Sequence, residues 1–291
     1  MRPTGALTRE RLERYRDHAF RRTPARRVRS ARQALAFVEA VGVCSTFYRF
    51  REGLACLWEA VAGRRDPRWP RRSHHDVGIG LTWDLKDTLP ARRRVYYGKL
   101  LRGRPVLVAL DLFPAFYALV RGRQRGRDYR VEYEAGRLSH TAKRLMDVLV
   151  RRRPLYTREW RGEAFMLQPA KTREFERAVA ELQQALFVVK VEERYDPSFS
   201  YRWDLLEAWL PEAVRAGRRL SRAVAVRRLV LCYLGGAGWA SIRGLARLFA
   251  LPRAEVAAAV AALAREGRVC TGLAVPGLAA DLVAHRRLLE G

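Results

Sequence analysis

Asparagine is absent from the 291-residue chain, and isoleucine occurs only at Ile79 and Ile242. With arginine far outnumbering lysine, this is the mark of GC-rich codon usage, and by itself it assigns no function. Cysteine is sparse: Cys44, Cys56, Cys232 and Cys270 are scattered, with no C-x-x-C pair and no histidine at ligand spacing. That argues against a zinc site or a disulfide framework and for buried, reduced thiols in a cytosolic protein. Long apolar runs are missing too. The most apolar stretch, Val106 to Val120, is too short to span a membrane and is interrupted by Asp111 and Pro114. The N-terminal MRPTGALTRERLERYRDHAFRR has no apolar core of the kind a signal peptide needs, so the expected location is cytoplasmic, at the nucleoid. No Walker-type loop, G-x-S-x-G elbow or dinucleotide fingerprint occurs, so no cofactor is expected.

Acidic residues are the remaining shortage. There are 57 Lys and Arg against 30 Asp and Glu, a formal charge of +27 and a pI near 11.2. Codon usage explains arginine in place of lysine, but not why acids fail to balance the bases. A surface this self-repelling costs stability unless a polyanion neutralises it, which points to nucleic acid as partner rather than a membrane. With 49% apolar residues the chain is globular and long enough for two or three compact domains.

What the chain does contain is a repeat. In RAEVAAAVAALAREGRV, Arg253 to Val269, the residues Val256, Val260 and Leu263 hold the spacing i, i+4, i+7, and Phe175, Val179 and Leu182 hold the same spacing upstream, 81 residues earlier (256 − 175). Arg144-Leu145-Met146 matches Arg228-Leu229-Val230 at an offset of 84 (228 − 144), and Thr157 matches Ser241 at that offset. Each copy predicts helix, turn, hydroxyl N-cap, second helix, turn, third helix and a β-rich tail: Phe187 to Val191 in one, Val269 to Leu273 in the other. A third helix apolar on one stripe leaves its other side free, which helix-turn-helix proteins lay in the major groove of DNA. Both copies read as winged helices.

A third, more diverged copy precedes them. Ser30 caps a helix that Gly42 stops, a second helix covers about Gly53 to Ala62, and Arg93 to Leu110 reads as strand, basic turn, strand, which is a wing. Trp58 lies on the apolar stripe Leu54, Leu57, Val61 and so is assigned to the core. The expected fold is α+β and mainly helical, with three tandem winged-helix (helix-turn-helix) units. Residues 1–28 form a basic helix or arm, either along phosphates or on a solvated surface. Residues 29–120 form the divergent winged helix with an insertion, 121–136 a basic linker, and 137–196 the second winged helix. Residues 197–217, with Trp203, Leu206, Trp209 and Leu210 at helical spacing, form a bridging helix whose tryptophans pack between domains. Residues 218–291 form the third winged helix, closed by an amphipathic helix from Leu278 to Leu289.

Gly80-Leu81-Thr82-Trp83-Asp84-Leu85-Lys86-Asp87, then Arg94-Val95-Tyr96-Tyr97-Gly98-Lys99-Leu100-Leu101-Arg102-Gly103-Arg104-Pro105, and then the tandem units resemble the YcaQ/AlkZ-type winged-helix proteins over about Arg29 to Val275. The resemblance implies DNA-repair chemistry, since those are bacterial DNA glycosylases that excise alkylated bases or unhook interstrand crosslinks. It departs at two points. The family's Gln-x-Gln or Gln-x-Asp motif, which positions the attacking water, is replaced by Val43-Cys44-Ser45-Thr46-Phe47. None of Gln33, Gln124, Gln168, Gln183 and Gln184 is followed two positions on by Gln or Asp. Family glycosylases also continue into a C-terminal β-barrel, for which this sequence leaves no room.

Only around Trp83 do acid, base and aromatic residues crowd together. Asp84 and Asp87, at i and i+3 beside Lys86 on a loop or short helix, are the catalytic candidates, weighed against helix capping and ion pairing. His74-His75-Asp76 reads as a polar loop rather than a metal site. For double-stranded DNA, Lys171, Arg173 and Arg177 lie on the free side of one third helix; Arg253 and Arg265 flank the alanine-rich free side of another; Tyr97, Lys99, Arg102 and Arg104 belong to the wing. So few base-reading groups imply binding by shape and phosphate contact, sequence-independent or structure-selective. Two other readings stand beside a repair role: a transcriptional or nucleoid-associated binder without catalysis, and a protein-docking module.

Overall fold

In the computed structural model, which describes residues 7–122, 128–278 and 281–290 (the side chains of His74 and Glu290 excepted), the chain begins with α1 (Arg9–Ala19). This helix neither lies free as an arm nor rests on solvent. Its Leu12 and Arg16 are buried. Arg16 donates to the carbonyls of Ala237 (3.2 Å) and Trp239 (2.7 Å), and Tyr15 Oη donates to Gly235 O (3.0 Å), so α1 is docked on the C-terminal part of the chain. Residues 1–6 lie outside the described residues.

The first repeat opens with α2 (Ala31–Val41), which Ser30 Oγ caps by accepting from Gln33 N at 3.3 Å and Gly42 stops. It continues through β1 (Val43–Ser45), β2 (Ala55–Cys56), α3 (Leu57–Ala62), α4 (Val77–Ala91), β3 (Val95–Leu101) and β4 (Arg104–Ala109). The strands form one sheet in the order β2-β1-β4-β3, antiparallel except for β1 beside β2. Asp84 and Asp87 sit within the 15-residue α4, not on a loop or short helix. Gly42 has two duties. Its φ of +72° is one that side chains resist, and a Cβ there would lie 2.1 Å from Cys232 Sγ. Gly42→Ala is expected to cost about 2–4 kcal/mol, left-handed strain added to overpacking, as read by urea unfolding; a loss below about 0.5 kcal/mol would contradict this account.

Then follow α5 (Phe113–Arg121) and α6 (Tyr129–Glu134), so the stretch read as a basic linker is partly helical; residues 123–127 of it lie outside the described residues. The second repeat comprises α7 (His140–Arg151), β5 (Leu155–Tyr156), α8 (Thr157–Glu163), α9 (Thr172–Gln184), β6 (Val188–Arg194) and β7 (Ser200–Leu205), with sheet order β5-β7-β6. Two sequence expectations fail here. Trp203 lies in β7, where it packs on Trp160 (6.1 Å between rings), so helical spacing misread a strand that the second sheet needs. Thr157 is the first residue of α8 rather than its N-cap, because its hydroxyl is committed to Tyr201 O (3.2 Å) and accepts from Trp203 Nε1 (3.0 Å). The bridge proper is α10 (Leu206–Trp209) and α11 (Pro211–Arg219). Trp209 does face the first repeat, with the Arg93 guanidinium 4.1 Å from its ring.

The third repeat comprises α12 (Arg222–Ala237), β8 (Trp239–Ser241), α13 (Ile242–Phe249), α14 (Arg253–Arg265), β9 (Val269–Cys270) and β10 (Leu282–His285), in sheet order β8-β10-β9. A single turn, α15 (Arg287–Glu290), ends the described chain. The amphipathic C-terminal helix is therefore broken by a strand at its centre, because β10 joins β8 to β9, and only a final turn is helical; residues 279–280 lie outside the described residues. The third helices correspond at both ends, α14 beginning 81 residues after α9 (253 − 172) and ending 81 after it (265 − 184). As expected, Phe175, Val179 and Leu182 on one and Val256, Val260 and Leu263 on the other are buried.

The repeats are not strung out evenly. α12 packs against α2 and α5, so the first and third share one continuous core, while the second keeps a separate core around Trp160, Phe175 and Leu182. The first repeat is therefore the centre. It meets the second through α4, β3, β6 and α9.

Candidate active site at the junction of the first two repeats

Helix α4 starts where Asp76 Oδ1 accepts from Ile79 N at 2.8 Å. Its inward stripe runs Ile79, Thr82, Leu85, Lys86 and Leu89, so a lysine occupies a place where helical spacing calls for an apolar residue. What lets it do so is the second repeat. Strand β6 carries Lys190 and Glu193, three residues apart, which in a regular strand would face opposite ways. The pairing with β7 slips by one residue between Lys190 and Glu192, a bulge that turns both side chains toward α4.

Four charges meet there. Lys86 Nζ lies 2.8 Å from Glu193 Oε1 and also contacts Asp87 Oδ1. Lys190 Nζ contacts Glu193 Oε1 and lies 3.8 Å from Asp87 Oδ1. Tyr195 Oη sits 2.9 Å from Asp87 Oδ2 and 3.0 Å from Glu193 Oε2, able to donate its proton to either carboxylate. All four charged side chains are largely removed from water, at 3–17% exposure, so their mutual pairing offsets a desolvation cost of several kcal/mol per ion. Aromatic faces close the sides. Lys190 Nζ is 4.8 Å from the Tyr97 ring and 5.1 Å from that of Tyr201, and Lys86 Nζ is 4.6 Å from Trp83. Burial, then the neighbouring Lys86 charge, brings the Lys190 amine down to about 7, against the pull of Asp87. Burial likewise pushes the Tyr97 phenol up, and burial with the hydrogen bond to Asp87 takes Tyr195 to about 12.

An aromatic box adjoins the charges. Phe47, directly after β1, has its ring 5.1 Å from Trp83, 5.6 Å from Trp69 and 6.2 Å from Trp58, and Trp58 lies 5.0 Å from Trp69. Trp58 is half-buried, while Leu54, Leu57 and Val61 are fully in the core, and Trp69 from the loop between α3 and α4 packs on its ring. Trp69 is 52% exposed and Trp83 45%, an apolar surface too large to be incidental beside a buried ionic cluster. The same loop carries Arg68, Arg71 and Arg72, all exposed.

Of the residues singled out from sequence, Asp87 and Tyr97 enter this cluster, with Lys86 and Trp83 beside which Asp87 was noted. Asp84 is exposed on α4. Lys171, Arg173 and Arg177 are exposed on or just before α9, Lys171 pairing with Glu174 at 2.9 Å. Arg102 pairs with Glu52 (3.1 Å), the Arg104 guanidinium stacks 4.6 Å from Tyr48, and Lys99 is exposed. Arg253 lies 3.6 Å from Asp281, and Arg265 is exposed. The outward side of α4 carries Val77, Trp83 and Asp84 rather than arginine, so the central repeat presents an aromatic face there. Phe47, Trp69, Lys190, Glu193 and Tyr195 were missed. A lysine within a valine-rich strand, Val188-Val189-Lys190-Val191, was the one signal that could have marked Lys190. No set of three or more metal-ligand side chains occurs among the described residues, and none of their helices is long and apolar enough to cross a membrane. A cleft of about 470 Å³ lined by Tyr117, Arg121, Tyr129, Phe187 and Arg218 shares no residue with the cluster.

Three comparisons bear on this architecture. No curated protein matches the sequence. Among solved structures, the DNA glycosylase AlkZ of Streptomyces sahachiroi superposes with a TM-score of 0.62 at 12% identity, over 98% of this chain and 72% of that one, which is a likeness of fold. The sequence profile described as AlkZ related matches residues 28–250, most of the chain and all of the junction cluster. The chain belongs to the AlkZ-related family.

Proposed function

We propose that this is a DNA-repair protein that binds double-stranded DNA through three winged-helix repeats and works on a damaged nucleotide at the junction of the first two. The observation that carries the reading is the meeting of amines, carboxylates and exposed aromatic rings beside Phe47. That is the segment in which the family's glycosylases carry their glutamine motif, and the solved relative is itself named a DNA glycosylase. A charge of +27 supports a polyanionic partner. In this reading Lys99, Arg102, Arg104, Lys171, Arg173, Arg177, Arg253 and Arg265 hold phosphates, and Trp69 and Trp83 stack on an exposed base or fill the gap that a lost base leaves. Asp87, rather than Asp84, is the carboxylate placed for chemistry.

Binding measured by fluorescence anisotropy tests it. Between about 50 and 200 mM salt, affinity for duplex DNA is expected to fall on the order of 10³-fold, as for a protein neutralising six or more phosphates. Trp69→Ala and Trp83→Ala should each weaken binding to a lesion-bearing duplex about tenfold, stacking being worth roughly 1–3 kcal/mol per base, and leave undamaged duplex nearly unaffected. Equal affinity for every duplex, with no effect of either tryptophan, would favour a nucleoid-associated binder. Little binding at physiological salt would favour a protein-docking role.

A further inference from the structure

The chain contains five lysines, Lys86, Lys99, Lys143, Lys171 and Lys190, against 52 arginines (57 − 5). Two of the five are the buried cations of the junction cluster, 5% and 9% exposed at the side chain. Elsewhere this chain meets a buried need for positive charge with arginine, as at Arg22, 8% exposed and paired with Glu59, and at Arg16. A guanidinium cannot lose its proton in a protein, whereas an amine can, and that is the chemical difference between the two residues. A neutral, desolvated amine is a nucleophile toward carbonyl carbon.

Resting on the DNA-directed reading above, we propose that Lys190 forms an imine with the C1′ aldehyde of the ring-opened sugar at an abasic site, giving the protein abasic-site lyase activity. Lys190 rather than Lys86 has the geometry for it. Both amines contact Glu193, but Lys86 also contacts Asp87 and lies under the Trp83 ring, whereas Lys190 is 3.8 Å from Asp87. Lys190 stands between the Tyr97 and Tyr201 faces, and Tyr195, a residue 61% exposed, reaches the same two carboxylates with its hydroxyl at the solvent side of the cluster. The step balances without a co-reactant. The nitrogen lone pair attacks C1′, and the carbinolamine hydroxyl, protonated by the Lys86 ammonium or by solvent, leaves as water to give the iminium. Asp87 or Glu193 then removes a C2′ proton; the C2′–H electron pair forms the C2′=C3′ bond, and the C3′–O bond breaks, its pair leaving with the 3′ phosphate. Water hydrolyses the imine, releasing the unsaturated aldehyde and restoring the amine. The low basicity of Lys190, lowered to about 7 by burial and by Lys86, leaves much of it neutral at physiological pH.

The test is reductive trapping. The full chain is mixed with a duplex bearing one abasic site and treated with sodium borohydride, which reduces an iminium to a stable amine. The adduct is read on a denaturing gel and located by peptide mass spectrometry. The expected result is an adduct on Lys190, with Lys190→Arg trapping at least tenfold less while its affinity for intact duplex is kept. An adduct on another lysine or on the N-terminal amine overturns the assignment, as does Lys190→Arg trapping as well as the wild type. Should that variant not fold, the wild-type peptide map decides alone. Absence of adduct from a chain that binds the same duplex overturns this inference but not the DNA-directed reading, which fails only if no duplex is bound. Trapping should also rise with pH with a midpoint near 7 and level off about one unit above it. The groups facing the amine are Lys86 and Asp87 of α4, Tyr97 of β3, and Glu193, Tyr195 and Tyr201 of the second repeat. A rise continuing to pH 10 would mean an ordinary solvent-exposed lysine is responsible.

Discussion

Glu59→Gln is expected to destabilise the protein by about 3 kcal/mol, the cost of leaving a buried cation with only Asp17, 3.9 Å away, as counter-ion. The Glu59 side chain is 1% exposed. Its Oε2 accepts from Arg22 Nε (2.8 Å) and Nη2 (2.5 Å), and its Oε1 lies 3.1 Å from Arg49 Nε and accepts from Asp66 N at 3.0 Å. One carboxylate thus ties α3 to the segment after α1 and to the start of the loop that presents Trp69. The amide keeps the shape and removes the charge, so unfolding in urea isolates the electrostatic contribution. Arg49→Gln is the control: that partner is 51% exposed, so its loss should cost under about 1 kcal/mol. A Glu59→Gln loss as small as the control's would show that Arg22 finds water or another partner. The variant should also weaken binding to lesion-bearing duplex, because Trp58 adjoins Glu59 and Trp69 follows the loop it anchors.

Stability should rise with pH above neutrality, and Lys190→Met should remove that rise. Burial brings the folded-state Lys190 down to about 7, while in the unfolded chain a lysine titrates near ~10.4. Between those values the unfolded chain holds one more proton than the folded one, so the free energy of unfolding increases with pH by about 1.4 kcal/mol per unit. Below about 7 both states carry the proton and the contribution stays at its minimum. From pH 7 to 9 the wild type should gain about 3 kcal/mol over the Met variant, an order-of-magnitude figure set by that window. Tyr97, Tyr195 and Tyr201 are all pushed upward, Tyr195 to about 12, so none of them supplies a rise in this range. Parallel pH curves for the two proteins would mean that the folded amine keeps its proton. The lyase proposal would then lose its neutral nucleophile as well.

The repeat was legible because it rests on local periodicity. Phe175, Val179 and Leu182, and 81 residues later Val256, Val260 and Leu263, bury the same face of a helix of the same length. The Ser30 cap and the Gly42 stop were readable for the same reason, each being decided within four residues of chain. Misreadings arose where a distant partner outweighed local spacing. Trp203 and Leu282 have helical neighbours in sequence, yet each lies in a strand that completes a sheet begun far upstream, at β5 and β8. Trp58 had helical spacing and an apolar side chain, yet it is only half-buried and shares an aromatic cluster with Trp69, which the sequence places eleven residues on.

From its residues alone, the chain determined two matching third helices 81 residues apart, an excess of positive charge, and the stretch from Trp83 to Asp87 where acid, base and aromatic groups crowd. Each depends on side chains within a few turns of one another or on composition. The site itself belongs to the tertiary structure. Lys86 and Glu193 are 107 positions apart, and only the packing of α4 on β6, with a one-residue bulge to re-aim Lys190, brings two amines and two carboxylates into one dry space. Desolvation does the rest, since it turns a lysine that would be an ordinary surface cation into an amine that can shed its proton near neutral pH.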